Sequence, residues 1–187
     1  MMESVRLRRF TVDEYHRMGQ AGVFAPGERV ELIRGGIREM TPKGKRHVMA
    51  VRRLVSLFPV RLAGRAGFDV QDPLKVPGWH SEPEPDFLIT SNPGPDAYGT
   101  EDDRPLLVIE VADSSLEYDR SVKAPLYAEA GVPEYWIINL ADNVLEVYRQ
   151  PSGQAYQTKE VLKPGSRITP QAWLDLEIDV DDLIPSI

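Results

Sequence analysis

A glutamate lies inside a segment whose other residues predict a buried β-strand. Glu110 follows the apolar residues 106–109 and precedes Val111, and polar residues begin at Asp113. An apolar run of this length is typical of a strand that is covered on both faces. Because an unpaired charge in a low-dielectric setting costs several kcal/mol, the carboxylate of Glu110 requires a cation, a proton or a metal ion.

A second carboxylate begins the preceding apolar segment. Asp86 follows Glu82-Pro83-Glu84-Pro85 and opens Phe87-Leu88-Ile89. Two carboxylates suit Mg²⁺, which binds one or two protein carboxylates together with waters and substrate phosphate oxygens. A metal-activated water would attack a phosphodiester, while the ammonium of Lys123 would orient that water and offset the charge growing on the phosphate. The carbonyl oxygen of Val111 would add a metal ligand.

The residues by themselves leave structural interpretations open. Glu110 would also be satisfied by a salt bridge with an internal Arg or Lys, and a buried ion pair with Lys123 is one such arrangement. Asp119 and Lys123 would form another ion pair. Tyr127 lies one helical turn beyond Lys123 and is expected to pack, with its hydroxyl within reach of the same site.

Length and composition favour a single domain over residues 1–187. A chain of this size buries a core without disulfides or structural metals. It has no cysteine, which excludes disulfides, thiolate metal sites and cysteine nucleophiles, so any metal must use oxygen or histidine ligands. We expect a soluble cytoplasmic protein, because no segment has the apolar length of a signal peptide or of a membrane span.

A basic segment lies on an otherwise acidic chain. The formal net charge is −7, which argues against coating nucleic acid by bulk electrostatics. Residues 43–65 nevertheless contain seven Lys or Arg and no acidic residue. Such a segment is either a phosphate-binding face or a solvated helix surface balanced by acidic neighbours. The candidates for nucleic-acid contacts are Lys43, Lys45, Arg46, His47, Arg52 and Arg53. For His47, capping of the helix is the alternative.

The first half of the chain predicts two helices and a hairpin. Thr11 and Glu14 form a predicted capping box at the start of a short helix. Residues 29–40 predict a β-hairpin that turns at Gly35-Gly36 and carries Glu31 on its first strand. Apolar residues at helical spacing predict a second helix from about residue 45. They are Val48, Val51, Leu54, Val55, Phe58 and Leu62.

The second half predicts one more helix and a strand meander. Residues 121–130 have helical signals that end at Gly131, and Pro125 favours a start close to Val122, which leaves the proline in the first turn. Three later segments predict adjacent strands, over residues 134–140, 144–150 and 156–162. The expected packing residues of the C-terminal segment are Trp173, Leu174, Leu176, Ile178 and Val180.

An ordered series of motifs carries a family resemblance. The series comprises Val30-Glu31-Leu32-Ile33-Arg34-Gly35-Gly36-Ile37, Glu84-Pro85-Asp86, Ile109-Glu110-Val111-Ala112-Asp113-Ser114-Ser115, Asp119, Lys123, Tyr127 and Gly131-Val132-Pro133-Glu134-Tyr135-Trp136-Ile137. It resembles the Uma-two family of putative restriction endonucleases, within the PD-(D/E)xK nuclease superfamily. The resemblance runs from about Phe10 to Ile184.

The resemblance implies a fold and a set of site residues. The fold is α/β (α+β), with a restriction-endonuclease-like core in which helices flank a central mixed β-sheet and antiparallel hairpins are added. Asp86 matches the motif aspartate, Glu110 the motif acid and Glu31 the glutamate of the first hairpin. The superfamily's lysine normally lies two residues after the acid, where this chain has Ala112, so the resemblance implies that Lys123 has taken over its role.

The expected activity is that of a metal-dependent endonuclease acting on DNA. The implied cofactor is Mg²⁺, with Mn²⁺ as the alternative, and cutting both strands calls for two sites, which favours a homodimer. One rival hypothesis is a nuclease-like domain that binds nucleic acid or protein without cutting. Another is a metal-dependent hydrolase of a small phosphorylated substrate, which would agree better with the acidic charge balance.

Overall fold

The computed structural model describes residues 7–76, 78, 80–94, 96–97, 100 and 102–186. They belong to two compact units, one within Met1–Pro42 and Pro73–Glu84 and the other within Lys43–Asp72 and Pro85–Ile187. The interpretation of residues 1–187 as one domain stays a prediction. Among the described residues, no helix has the length and apolar character needed to cross a membrane.

The first unit contains the predicted helix and hairpin. Helix α1, Val12–Gln20, begins with the capping box, in which Thr11 and Glu14 each bond the other's backbone N–H. Strands β1, Val30–Ile33, and β2, Gly36–Glu39, pair antiparallel. The predicted turn is wrong by one residue. Ile33 pairs with Gly36, so Arg34 and Gly35 form the loop. Both have positive φ, 49° and 78°, as a two-residue hairpin turn of type I′ requires.

A six-stranded mixed sheet forms the centre of the second unit. Its strands, in spatial as well as chain order, are β3 Gly67–Asp69, β4 Phe87–Thr90, β5 Pro105–Ala112, β6 Glu134–Asn139, β7 Val144–Ser152 and β8 Ala155–Leu162. Strands β5 and β6 are parallel, and every other neighbouring pair is antiparallel. The predicted fold class is confirmed. The predicted meander corresponds to β6, β7 and β8.

Helix α2, Lys45–Arg61, packs on one face of this sheet. Its buried residues His47, Ala50, Val51, Leu54 and Phe58 follow helical spacing, and the apolar ones join the core formed by β4 to β7. The predicted apolar stripe was partly wrong, because the side of the helix that carries Val48 and Val55 faces outward. These two valines are 38% and 43% exposed. Pro59 lies inside the helix, which continues to Arg61.

The C-terminal segment completes the same core. Strands β9, Arg167–Ile168, and β10, Ile178–Asp179, pair antiparallel, and the short helix α5, Val180–Leu183, follows. Four of the five predicted packing residues are buried, namely Trp173, Leu176, Ile178 and Val180. The fifth, Leu174, is 85% exposed, so the apolar character of a residue did not by itself decide its burial here.

A continuous helical segment connects β5 to β6. It consists of α3, Leu116–Tyr118, a π-turn over Asp119–Lys123 and α4, Ala124–Glu129. The predicted start near Val122 is therefore wrong, because the chain accommodates Pro125 without a break. The N–H of Ala124 bonds the carbonyl of Asp119, five residues back, in place of the usual four. The end was predicted correctly at Gly131, whose φ is 74°.

Candidate active site

Glu110 lies near the end of β5 with its side chain buried among hydrogen-bond donors. The residue is 3% exposed. Nζ of Lys123 donates to Oε1 of Glu110 over 2.8 Å, and the hydroxyl of Tyr127 donates to the same oxygen over 2.7 Å. Oε2 of Glu110 accepts from the backbone N–H of Asp86 at 3.3 Å. The buried carboxylate thus has a cation, a hydroxyl and the second acidic residue around it.

Asp86 immediately precedes β4, which pairs with β5 so that Phe87 lies opposite Ile109. This pairing brings the acid to the end of β5. Oδ2 of Asp86 accepts from the N–H of Val111 over 2.9 Å and lies 3.0 Å from Nε2 of His47. Oδ1 accepts from the side-chain amide of Gln71 over 3.2 Å. Asp86 is therefore oriented by donors from three parts of the chain.

The two carboxyl groups differ in acidity for identifiable reasons. Burial raises the pKa of Glu110 to about 8, because Lys123 offsets the desolvation incompletely and the negative charges of Asp86 and Asp119 add to it. Burial also acts on Asp86, but His47, the N–H of Val111 and the charge of Lys123 outweigh it and lower the pKa of Asp86. Burial therefore disfavours the ionised form of Glu110, whereas it leaves Asp86 ionised.

Lys123 reaches Glu110 from the last position of the π-turn. The turn is fixed at its other end, where Asp119 accepts from the hydroxyl of Ser115 over 2.6 Å and its backbone carbonyl accepts from Tyr135 over 3.3 Å. Asp119, Lys123 and Tyr127 are all buried. The hydroxyl of Tyr127 reaches the site from one helical turn beyond Lys123, as the sequence indicated.

Comparison with known protein families identifies the chain. The model of the Uma2 family, described as "Putative restriction endonuclease", matches residues 12–181. The chain belongs to the Uma2 family. The family predicted from the motif series is confirmed.

A solved structure supports the fold of this Uma2 protein. The crystal structure of a protein from Anabaena variabilis ATCC 29413, titled a putative nuclease belonging to DUF820, matches with a TM-score of 0.71. The match covers 93% of this chain and 97% of that chain, at 19% sequence identity. At this identity the likeness concerns the fold. A comparison with curated proteins finds no match.

His47 is the residue whose position sequence reasoning missed. It was grouped with the basic residues as a phosphate contact or a helix cap, whereas it is buried on the inner side of α2 against Asp86. Its Nδ1 is buried and has no hydrogen-bond partner among the residues that the structure describes. The signal available in the sequence was its helical phase, since His47, Val51, Leu54 and Phe58 are three or four residues apart.

The basic residues of α2 divide into anchoring and exposed side chains. Arg46 donates to the carbonyls of Leu140 and Pro185 and to the side chain of Asn143. Arg53 donates to the carbonyls of Asp181 and Ile184. Lys45 and Arg52 have exposed side chains. The nucleic-acid contacts assigned to this segment, including Lys43 at its start, stay a prediction.

Glu31 belongs to the first unit, which is described by itself. It is buried on β1, and its Oε2 accepts from the N–H of Glu84 at the long distance of 3.4 Å. Its expected support of the chemistry in this Uma2 protein stays a prediction.

The residues around Glu110 fit a hard divalent cation as a partial ligand set. Within the described ranges, no group of three or more His, Asp or Glu side chains is arranged to hold a metal ion. Asp86 and Glu110 supply two carboxylates, however, and Mg²⁺ is commonly held by one or two carboxylates while waters and phosphate oxygens complete its shell. Burial is the main cause of the raised pKa of Glu110, and the charges of Asp86 and Asp119 add to it.

Proposed function

We propose that this protein is a metal-dependent endonuclease that hydrolyses DNA phosphodiester bonds. The observation that carries the proposal is that Glu110, Lys123 and Asp86 converge on one buried strand end. Nζ of Lys123 lies 2.8 Å from Oε1 of Glu110, and the backbone nitrogen of Asp86 lies 3.3 Å from Oε2. Membership of the Uma2 family supports a nuclease reaction. Two carboxylates can hold a metal ion that activates water, and an ammonium can offset the charge that develops on the phosphate.

Asp86 and Glu110 would hold Mg²⁺, or Mn²⁺ in its place, with the carbonyl of Val111 as a further ligand. When bound, the cation would lower the pKa of a water molecule and withdraw charge from the phosphate. Asp86 enters this role ionised, because its pKa is lowered. Burial raises the pKa of Glu110, and a cation bound beside it would favour its ionised form.

Lys123 and Tyr127 orient Glu110 for this role. Both donate to Oε1 of Glu110, which directs Oε2 toward Asp86. The ammonium of Lys123 would also offset the negative charge that develops on the phosphate in the transition state. Glu31 would support the site from the first hairpin.

DNA is the substrate that the family supports, and the exposed cations of α2 are the first candidates for phosphate contacts. Lys45 and Arg52 have exposed side chains on this helix. Neutralising phosphates with such residues makes binding depend steeply on salt. Cutting both strands would require two copies of the site, which we assign to a homodimer in the cytoplasm.

The test is the nicking of supercoiled plasmid with Mg²⁺, Mn²⁺ or a chelator, by the wild type and by Glu110→Gln. The variant keeps the shape of the side chain but removes its charge. Glu160→Gln, in the exposed strand β8, is the matched control. We expect metal-dependent nicking that falls at least about 100-fold in Glu110→Gln and is unchanged in Glu160→Gln.

Each other result points to a rival function. Plasmid binding without nicking by a folded wild type would indicate a nuclease-like binding domain. Hydrolysis of bis(p-nitrophenyl) phosphate with little salt dependence and no nicking would indicate a small phosphorylated substrate. Nicking that persists in Glu110→Gln would overturn the proposed site.

A further inference from the structure

A second buried glutamate lies in the same row of the sheet as Glu110. Glu110 pairs with Ile137 on β6, and Ile137 pairs with Glu146 on β7. Residues paired in this way present their side chains on the same face of a sheet. Two neighbouring strands are about 4.8 Å apart, so the two glutamates are roughly 10 Å apart along the row.

Glu146 is surrounded by donors on this face. Arg120 holds both of its oxygens, with Nε donating to Oε2 over 3.1 Å and the terminal nitrogen donating to Oε1. Nζ of Lys159 and the hydroxyl of Tyr148 each lie 2.7 Å from Oε2. The amide of Asn139 donates to Oε1 over 3.1 Å. A carboxylate with this many donors stays ionised and holds a fixed position.

Arg120 and Lys123 come from the same π-turn and reach these two glutamates separately. Arg120 is the second residue of the turn and Lys123 the last. One turn of five residues therefore makes two ion pairs with one row of the sheet, to Glu146 on β7 and to Glu110 on β5. The bidentate contact of Arg120 fixes direction as well as distance, since a guanidinium fork matches a carboxylate in one plane.

We propose that Arg120 and Glu146 are positioning residues that fix the π-turn so that Lys123 stays on Glu110. The inference rests on the proposed function. Lys123 has a long flexible stem, and α3 before the turn has three residues, so local helix strength does not determine where the ammonium lies. The Arg120–Glu146 contact supplies the constraint from the rigid centre of the sheet. A displacement of catalytic groups by about 1 Å costs up to roughly 100-fold in rate.

The experiment measures single-turnover nicking at saturating enzyme, well below the melting temperature, together with plasmid affinity. The variants are Arg120→Lys, which keeps the charge but loses the fork, Glu146→Gln and the double variant. Arg149→Lys is the control, because Arg149 also pairs with a buried glutamate, Glu134, whose Oε1 lies 2.8 Å from Nε of Arg149 and 2.7 Å from a terminal nitrogen. Glu134 and Arg149 lie on the opposite face of the sheet from Glu146. Successive residues of a strand alternate between the two faces, and Glu134 is three residues from Ile137, which pairs with Glu146.

We expect Arg120→Lys and Glu146→Gln each to slow nicking about 10- to 100-fold with unchanged plasmid affinity. The double variant should lose no more than the worse single variant, because the two residues act through one contact. Arg149→Lys should lower the melting temperature without slowing nicking. Wild-type rates in Arg120→Lys, or equal slowing in Arg149→Lys, would overturn the positioning role while leaving the nuclease intact.

A second readout separates this proposal from the activity itself. Amide hydrogen exchange of residues 119–124 should become at least about tenfold faster in Arg120→Lys and stay unchanged in Arg149→Lys. If the wild type does not nick DNA, the proposed function is overturned, and the exchange rates alone decide whether Arg120 fixes the turn. Unchanged exchange in Arg120→Lys would overturn that role as well.

Discussion

Tyr127 donates its hydroxyl hydrogen to Oε1 of Glu110 over 2.7 Å. Removing the hydroxyl in Tyr127→Phe should weaken the orientation of Glu110 and slow metal-dependent nicking about tenfold, because a hydrogen bond to a charged group contributes about 1.5–3 kcal/mol. The control is Tyr156→Phe. In the wild type, the hydroxyl of Tyr156 donates to the carbonyl of Val132 over 3.0 Å. This substitution should lower the free energy of unfolding without changing the nicking rate. Equal rates for the two variants would contradict an orienting role of Tyr127.

The affinity for Mg²⁺ should rise with pH up to about 8. The folded protein raises the pKa of Glu110 to about 8, so a proton competes with the metal below that pH. Between about pH 6 and 8 the affinity should increase by up to tenfold per pH unit, as one proton is released for each ion bound. Titration calorimetry at several pH values measures both quantities. A pH-independent affinity, or the same dependence in Glu110→Gln, would exclude Glu110 as the group that titrates.

Glu146 should contribute stability that is lost in acid. Burial alone would raise the pKa of Glu146, but donors led by Arg120 and Lys159 lower it from 4.5 to about 2. A lowered pKa stabilises the fold above the unfolded-state pKa, and this stabilisation disappears as the pH falls from 4.5 toward 2. The loss is about 3 kcal/mol at most. Urea unfolding at several pH values should show this part of the acid dependence in the wild type and not in Glu146→Gln.

The basic residues of α2 should separate into two functional classes. Arg52→Ala should weaken DNA binding and reduce the slope of log affinity against log salt by about 1, because an exposed cation that contacts one phosphate releases about one counterion. Arg46→Ala should instead lower the free energy of unfolding, because Arg46 holds the carbonyls of Leu140 and Pro185. Salt titrations of binding and urea unfolding measure the two effects. An unchanged salt slope in Arg52→Ala would remove this helix from the DNA contacts.

The sequence predicted that Asp86, Glu110 and Lys123 lie close together because its signals were local. A glutamate inside an apolar run is recognisable from the sequence alone. The order of the motifs then predicted that Asp86, Glu110 and Lys123 belong to one site. The turn that carries Lys123 was not predictable in the same way. Pro125 indicated a helix start near Val122, and no local signal indicated that a wider turn would accommodate the proline inside a helix that begins at Leu116.

The position of His47 was missed for a different reason. Helix α2 carries several arginines, so its composition does not indicate which side of the helix faces the core. His47 and Val48 are adjacent, yet the first is buried against Asp86 and the second is exposed, since neighbouring residues of a helix point about 100° apart. The packing of α2 on the sheet determines which of these residues is buried.

The π-turn has a consequence for how the gene tolerates changes in length. A π-turn holds one residue more than the α-helical turn that it replaces. Deleting the exposed Ser121 would allow this segment to become ordinary α-helix, in which the N–H of Ala124 would bond the carbonyl of Asp119 four residues back and Lys123 would stay on nearly the same side of the helix. A one-codon deletion at this solvent-facing serine would thus remove the extra residue and leave the ammonium beside its carboxylate, so in-frame loss of Ser121 should be tolerated about as well as its substitution.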